Sequence, residues 1–435
     1  MDSSLSSPLG SMPVDERMMS FIWQSRLFSG ELYTVQGELL QIIQTGFLNR
    51  DQGPDFWMAK VEIAGIMLAG QVELHQRTSD WNRHAHHTDP RYAGVILHVV
   101  WKHDLHQPLP LHTPLLVLSD YVLPEHMAKM QELIHTRNDF ACSAYLPQTD
   151  RAVIHEQLEY ALVERLERKY ERLLGLLQRH TFHWEHVTFM LIAEYLGAPV
   201  NKVPMLMIAE RLPWQGVGLF RDNPLLAEAV LFGLSGLLDH SYQDDYPRAL
   251  QQEWRYQRKR LNIEPLTGQP LYFLRMRPAH FPGIRLAQLA ALWTQGERLF
   301  HQLPEIQDVR DLYPLLSFPV NAYWDTHYHF DVTAPRGNRQ LGRNQADVVI
   351  INALVPILFT YGKCRDEDRY LQKALQWLEG IKPERNRVLR VWQEKGINPL
   401  HASMSQGMLQ QYIHYCQPGR CWDCRIARSV ICSVK

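Results

Sequence analysis

Residues 53–75 read GPDFWMAKVEIAGIMLAGQVELH, and this stretch decides the fold of the N-terminal part of the chain. Phe56 to Ile63 and Met67 to Leu74 have the composition of strands, and an Ala-Gly turn signal lies between them. The stretch therefore predicts a β-hairpin. Asp55 enters its first strand and Glu73 lies near the end of its second, so both carboxylates are predicted at one end of the hairpin.

Two converging carboxylates predict a metal site. Hard cations bind carboxylate oxygens and keep several waters, so Asp55 and Glu73 are candidate ligands for Mg²⁺ or Mn²⁺. His75 lies two residues after Glu73 and therefore points to the same face of the strand. The alternative interpretation is an ordinary hairpin with an aspartate at a turn, because the strings PD and ELH are short and common.

This pattern resembles the PD-(D/E)XK nuclease superfamily, in which an Asp and a Glu hold the metal and a Lys assists the attacking water. The superfamily has the order helix, three strands, helix, strand. The chain offers a helix at Asp15–Phe28 and strands at Leu39–Gln44, in the hairpin and at Gly94–Trp101. His75 stands in place of the Lys, and a neutral His can be a base or a metal ligand. The resemblance also implies Glu16, on the first helix, as an extra ligand.

The resemblance implies a metal-dependent phosphodiesterase that acts on DNA or RNA. In this hypothesis Asp55 and Glu73 bind the metal, and His75 orients or deprotonates the attacking water. A second hypothesis is an inactive nuclease fold that serves as a nucleic-acid-binding or scaffold subunit, which the missing Lys favours. A third is a hydrolase of small substrates that uses the histidines after the hairpin.

These histidines lie in the segment DWNRHAHH, from Asp80 to His87. On a helix His84 and His87 share a face, whereas on an extended segment His84 and His86 do. Either spacing suits a softer metal such as Mn²⁺ or Zn²⁺, and we predict that His84 and His86 contribute to the metal site. Contact with a phosphate backbone and chance clustering among 21 histidines are the alternatives.

A second resemblance covers nearly the whole chain from about Val14. The strings NRDQGPDF (Asn49–Phe56), GQVELH (Gly70–His75), SDWNRHAH (Ser79–His86) and RMRPAHFPGIRLAQLA (Arg275–Ala290) resemble a bacterial family called domain of unknown function 2851. This family name implies no biochemistry, so the function has to be argued from the residues.

The composition is that of an ordinary globular protein, with 46% hydrophobic and 21% charged residues among 435. The formal net charge of −1 excludes a global electrostatic field that would attract nucleic acid. Contact with DNA or RNA would use local patches, for which Arg255–Arg260 and Arg385–Arg390 are candidates. Such charge runs also occur on solvated helix faces, and no feature of the sequence predicts the oligomeric state.

The chain predicts an α+β protein with four parts. Residues 1–13 form a disordered leader rich in Ser, Pro and Gly. Residues 14–145 form an α/β domain with a mixed sheet, like that of the PD-(D/E)XK nucleases. Residues 146–400 show helical periodicity and form a large α-helical region. Residues 401–435 form a Cys-rich tail.

The sequence also predicts a cytoplasmic protein without a membrane span. Its N-terminus lacks the basic start and apolar core of a signal peptide. The longest apolar run, Val348–Tyr361, is too short for a bilayer and predicts a buried helix kinked at Pro356. Cysteines stay reduced in this compartment, so a cysteine cluster indicates a metal rather than disulfides.

The tail carries Cys416, Cys421, Cys424 and Cys432 at the spacing C-x4-C-x2-C-x7-C. This predicts a metal or cluster site, with unligated thiols as the alternative. Zinc ribbons usually have two C-x2-C knuckles, and the single one here suits an iron–sulfur cluster at least as well as zinc.

The tail also resembles the iron–sulfur nucleases of the RecB type, which add three C-terminal cysteines to one upstream. That resemblance implies Cys142 as the fourth ligand and Cys432 as spare. The cluster would then close a loop of about 270 residues and stabilise the fold by on the order of a few kcal/mol.

Overall fold

The computed structural model describes residues 14–433, apart from 50, 106–112, 137–139, 215–219, 221–222, 269–270, 275 and 297. The predicted leader, residues 1–13, lies outside the described residues. The chain divides into two compact units. The first comprises residues 1–160, 390–398 and 408–435, and the second comprises residues 161–389 and 399–407.

The first unit is built on a mixed seven-stranded sheet. Its strands are β1 (Leu32–Tyr33), β2 (Leu39–Gln44), β3 (Phe47–Leu48), β4 (Phe56–Ile63), β5 (Ile66–Arg77), β6 (Val95–Lys102) and β7 (Leu115–Val117). The order is β1-β2-β4-β5-β6-β7, with β3 beside β4. Strands β4 and β5 are antiparallel, whereas β5, β6 and β7 run parallel to one another. The predicted N-terminal mixed sheet is confirmed.

The predicted hairpin is formed by β4 and β5. Its first strand has the predicted bounds, and its second extends to Arg77, three residues past the predicted end at Leu74. Ile63 pairs with Ile66, so Ala64 and Gly65 alone form the loop. Both loop residues have positive φ, 49° and 81°, as the tightest hairpin turns require.

The helices complete both units. In chain order they are α1 (Glu16–Ser25), α2 (Asp80–Arg83), α3 (Pro124–His135), α4 (Arg151–Arg179), α5 (Trp184–Leu196), α6 (Lys202–Glu210), α7 (Pro224–Leu234), α8 (Asp245–Leu261), α9 (Pro282–Gln295), α10 (Leu299–Gln302), α11 (Arg343–Val349), α12 (Val355–Arg365), α13 (Asp368–Glu379), α14 (Arg387–Glu394), α15 (Ala402–Gln411) and α16 (Arg425–Cys432). Helix α1 lies against β5. The Asp15 carboxylate caps α1 by accepting the backbone N–H of Met18 at 2.8 Å, which fixes where the helix begins.

The second unit is mainly helical, as predicted for the C-terminal region. Its one described sheet is the short pair β8 (His327–His329) and β9 (Val332–Thr333). On α4 the residues Leu166, Leu173 and Leu177 are all buried, which the spacing of three and four residues requires of an apolar helix face.

The apolar run of the second unit forms part of a longer helix, Arg343–Arg365. Of the described helices, it alone is long and apolar enough to cross a membrane by length and composition, with a mean hydropathy of 1.4. Within the protein, 67% of its apolar window is buried, as in the core helix of a soluble domain. A π-helical turn at Ile350–Leu354 ends two residues before Pro356. Proline has no N–H to donate, so this turn lies where the regular helix pattern is interrupted.

Candidate metal centre

The hairpin brings Asp55 and Glu73 together. The backbone N–H of Asp55 donates to Glu73 Oε2 at 3.1 Å, and the backbone N–H of Leu74 donates to Asp55 Oδ2 at 2.9 Å. Each carboxylate is therefore held by the backbone of the strand that carries the other. Glu73 is 5% exposed and Asp55 is half-buried, so the pair lies largely out of water.

This burial raises the pKa values of both carboxyl groups. Burial raises the pKa of Glu73 to about 9, with the negative charge of Asp55 adding to the rise. Burial also raises the pKa of Asp55 to about 6. The charge of Glu16, the first residue of α1, raises the pKa of both groups, so Glu16 lies within electrostatic range of them. The pair holds one proton at neutral pH, and a divalent cation would take the place of that proton.

His75 lies beside this pair on the same face of β5. Its Nε2 is 3.5 Å from Glu73 Oε1, and the side chain is 1% exposed. Its Nδ1 lies 2.9 Å from Nε2 of His98, which sits opposite Glu73 in the parallel register of β6. His75 Nε2 itself is buried without a hydrogen-bond partner. A buried nitrogen without a partner is costly, and it is oriented as a metal ligand would be.

A short turn after β5 adds two more imidazoles. Asp80 begins α2 and accepts the backbone N–H of Arg77 at 3.0 Å, which ties this helix to the end of the strand. Ala85 then adopts a left-handed conformation, with φ of 58°. The turn brings the rings of His84 and His86 to 5.2 Å and 5.1 Å from the ring of His75. The two histidines therefore meet across a turn rather than along the helical or extended spacings that the sequence offered.

Together these side chains form a ligand set. One ligand nitrogen from each of His75, His84 and His86 lies within 4.8 Å of the others. The Nε2 of His86 is 3.3 Å from Glu73 Oε1, so the carboxylate borders the same space. Burial lowers the pKa of His75 to about 2 and also lowers the pKa of His86, which keeps their lone pairs free. Three imidazoles beside a carboxylate suit Zn²⁺ or Mn²⁺ better than Mg²⁺.

Three residues of this site were not predicted from the sequence. His98 contacts His75, the ring of Trp81 contacts His75, His86 and His98, and Tyr92 stacks on His86 with ring centroids 3.8 Å apart. Burial lowers the pKa of His98 to about 3, so this imidazole is neutral. A signal for His98 was available, since it interrupts the apolar strand VILHVV. The sequence gave no such signal for Trp81 or Tyr92, because aromatic residues usually belong to a hydrophobic core.

A second group of metal-type ligands lies elsewhere in the first unit. Cys142, Cys416, Cys421 and Cys424 line one cavity, together with apolar side chains. Cys432 is exposed and is not part of this lining. The structure therefore brings the upstream cysteine to the C-terminal ones, which is the arrangement that the RecB-type resemblance implies.

Comparison with known proteins identifies the family. The family model described as "Protein of unknown function (DUF2851)" matches residues 16–387, and the chain belongs to this family. No curated protein matches the chain significantly, and neither does any solved structure. The description of the family names no activity, so the function rests on the chemistry of the two sites.

Proposed function

We propose that this protein is a metal-dependent hydrolase of phosphodiester bonds. One observation carries the proposal: the carboxylates of Asp55 and Glu73, each held by a backbone N–H of the neighbouring strand, lie beside three imidazoles whose ligand atoms lie within 4.8 Å of one another. The buried members, Glu73 and His75, are costly to bury without a cation, because a carboxylate and a nitrogen without a hydrogen-bond partner lose their contact with water.

The residues present fit a transition metal. Glu73, His75, His84 and His86 would hold it, which gives four protein ligands, with Asp55 and Glu16 close by. When bound, the metal would lower the pKa of a water and neutralise charge on a phosphate. Mg²⁺ prefers sites made only of oxygen ligands, whereas this set contains three imidazoles. We therefore propose Mn²⁺ or Zn²⁺ as the metal.

The remaining side chains have supporting roles. His98 holds the Nδ1 side of His75, which fixes the ring so that Nε2 faces Glu73. Asp55 has a pKa of about 6, close to the working pH that suits a general base. We assign to Asp55 the removal of the proton from the attacking water, and to Glu73 and the three imidazoles the binding of the metal.

A nucleic acid is the proposed substrate. The proposal draws on the resemblance of the predicted order of helix and strands to that of the PD-(D/E)XK nucleases. In addition, Phe47 and Trp57 pair across β3 and β4 and are 62% and 47% exposed. Trp57 lies two residues after Asp55 in the chain, and these exposed rings offer stacking surfaces for unpaired bases. We therefore propose single-stranded DNA or RNA over small substrates.

The test is cleavage of a panel of single-stranded and duplex DNA and RNA in the presence of Mn²⁺, Zn²⁺ or Mg²⁺. We expect cleavage with Mn²⁺ or Zn²⁺ that is lost in Glu73→Gln and kept in the control His87→Ala, which alters an exposed histidine outside the ligand group. Binding of nucleic acid without cleavage would instead support the inactive binding subunit. Failure to bind any metal would contradict the proposal.

A further inference from the structure

We propose that Cys142, Cys416, Cys421 and Cys424 bind a four-iron four-sulfur cluster, which fastens the C-terminal segment of the first unit to the chain that follows α3. The inference concerns a different site from the proposed hydrolase centre and does not depend on that activity.

The arrangement of the sulfurs favours a cluster. All four thiols line one cavity. Yet in the described part of the chain no three cysteine sulfurs lie within 4.8 Å of one another. Tetrahedral zinc with bonds of about 2.3 Å would hold its sulfurs about 3.8 Å apart. A cubane cluster carries its four irons at separate corners, so its thiolate ligands lie farther apart.

A network of hydrogen-bond donors lies behind two of the sulfurs. The side-chain amide of Gln411 donates to Cys424 Sγ at 3.2 Å and lies 3.7 Å from Cys416 Sγ. Gln157 holds this amide, because its Nε2 donates to Gln411 Oε1 at 2.8 Å. The backbone N–H of Arg425 in turn donates to Gln157 Oε1 at 3.1 Å. Donors aimed at thiolate sulfurs are the outer partners that tune iron–sulfur clusters.

Cys424 immediately precedes α16, and the backbone N–H groups of Ile426 and Ala427 donate to its sulfur. The first N–H groups of a helix carry a positive partial charge, which stabilises a thiolate rather than a thiol. Cys424 is nevertheless buried beside the other cysteines, and a cation is what would make a buried thiolate stable.

The four cysteines carry free thiols, which is the form that can receive a cluster. No pair of them forms a disulfide. The cluster binds as a preformed unit: each thiol gives up one proton to solvent and forms one sulfur–iron bond, with no change in oxidation state.

The cluster also has a mechanical consequence. Trp422 lies between Cys421 and Cys424, and its ring packs on Phe21 of α1, with centroids 5.5 Å apart. Phe140 and Trp392 close the cavity on another side, with their own ring centroids 4.6 Å apart. Binding of the cluster therefore orders a loop that supports α1, and apolar rings shield the cluster from water.

The experiment uses full-length protein purified without oxygen. We expect brown protein with four irons and four acid-labile sulfides per chain. Cys142→Ser and Cys424→Ser should lose the colour, whereas the matched controls Cys432→Ser and Cys364→Ser should keep it. Stoichiometric zinc without iron would overturn the proposal, as would protein free of both metals. Loss of the colour in Cys432→Ser together with its retention in Cys142→Ser would overturn the ligand set.

A second variant keeps the test decisive if a cysteine variant fails to fold. Gln411→Ala removes no ligand but deletes the donor to Cys424. We expect it to keep the cluster and to have a lower reduction potential, because hydrogen bonds to cluster sulfurs raise that potential. A potential and an electron paramagnetic resonance spectrum identical to those of the wild-type protein would show that the cluster is not bound at these sulfurs.

Discussion

The two ligand groups of the first unit are built in opposite ways. The histidine and carboxylate group takes all its members from residues 55–98, and sheet register and one turn bring them together. The cysteine group joins Cys142 to residues about 270 positions later, so it depends on closing a long loop. The first group is therefore a property of the local fold. The second is a property of how the C-terminal segment docks.

The ligand atoms differ in the same sense. The imidazole nitrogens lie within 4.8 Å of one another, close enough for a single ion. The cysteine sulfurs line one cavity, and in the described part of the chain no three of them lie within 4.8 Å of one another. The comparison predicts that removing a ligand from the first group changes metal affinity and leaves the fold intact. Removing one from the second group weakens the fold itself.

The largest effect is expected at Glu73. Glu73→Gln removes the charge beside His75 and His86, and we expect metal affinity to fall by more than the roughly 10- to 100-fold typical of an outer partner. Isothermal titration with Mn²⁺ and Zn²⁺ measures this, and circular dichroism should show an unchanged fold. Asp55→Ala should remain folded and should lower Mn²⁺ affinity less than Glu73→Gln does, because Asp55 is assigned the proton transfer rather than the metal. Unaltered affinity in Glu73→Gln would remove that carboxylate from the metal site.

His75→Lys tests whether this histidine is a ligand or only occupies the position of a lysine. A protonated lysine has no lone pair to donate, so we expect a large loss of metal affinity. The unpartnered Nε2 of His75, 3.5 Å from Glu73, is the reason for expecting a ligand. Calorimetric titration decides the matter: retained affinity with increased cleavage would favour the superfamily's lysine role instead.

Cys142→Ser tests the loop-closing role on the other side of the comparison. By analogy with disulfides, loss of the link that the cluster makes between Cys142 and the C-terminal cysteines should lower the free energy of unfolding of the first unit by on the order of a few kcal/mol. Denaturant unfolding under anaerobic conditions measures the change, with Cys432→Ser as the control. Equal stability of the two variants would show that Cys142 does not close the loop.

His98→Leu should have a smaller effect. It keeps an apolar side chain in the strand but removes the nitrogen that lies 2.9 Å from His75 Nδ1. Outer partners of metal-binding histidines typically contribute about 10- to 100-fold in affinity, and we expect a loss in that range. A metal titration compared with that of Glu73→Gln orders the two effects. A loss as large as that of Glu73→Gln would make His98 a direct ligand.

The smallest effect is the pH dependence of metal binding. In the metal-free protein the pKa of Glu73 is raised from 4.5 to about 9, so the folded state binds more protons than the unfolded state across that window. This contribution makes the metal-free fold less stable as the pH rises from 4.5 to 9, and metal affinity increases over the same range. Titration at pH 7 in two buffers should reveal about one proton released per metal. Glu73→Gln should release fewer protons.

Several features of the first site were predictable because they are local. Alternation of side chains placed Glu73 and His75 on one face, and the Ala-Gly turn fixed the first strand at its observed bounds. The contribution of His84 and His86 followed from their proximity in the chain, but the geometry did not. The two rings meet because Ala85 adopts a left-handed backbone conformation. An alanine in the sequence does not predict this conformation, because non-glycine residues rarely adopt it.

The sequence by itself determined the hairpin, the helical second half of the chain and the kinds of ligand available. Only the tertiary structure decided that His98 lies behind His75, because that contact requires the parallel register of β5 and β6, and no local pattern specifies which strand lies alongside. It also placed Cys142, and not Cys432, in the cavity with the other three cysteines, since thiols this far apart in the chain meet only when a long loop closes. Helices and hairpins are predictable because their hydrophobic periodicity depends on neighbouring residues. These contacts are not, because they arise from packing between distant parts of the chain.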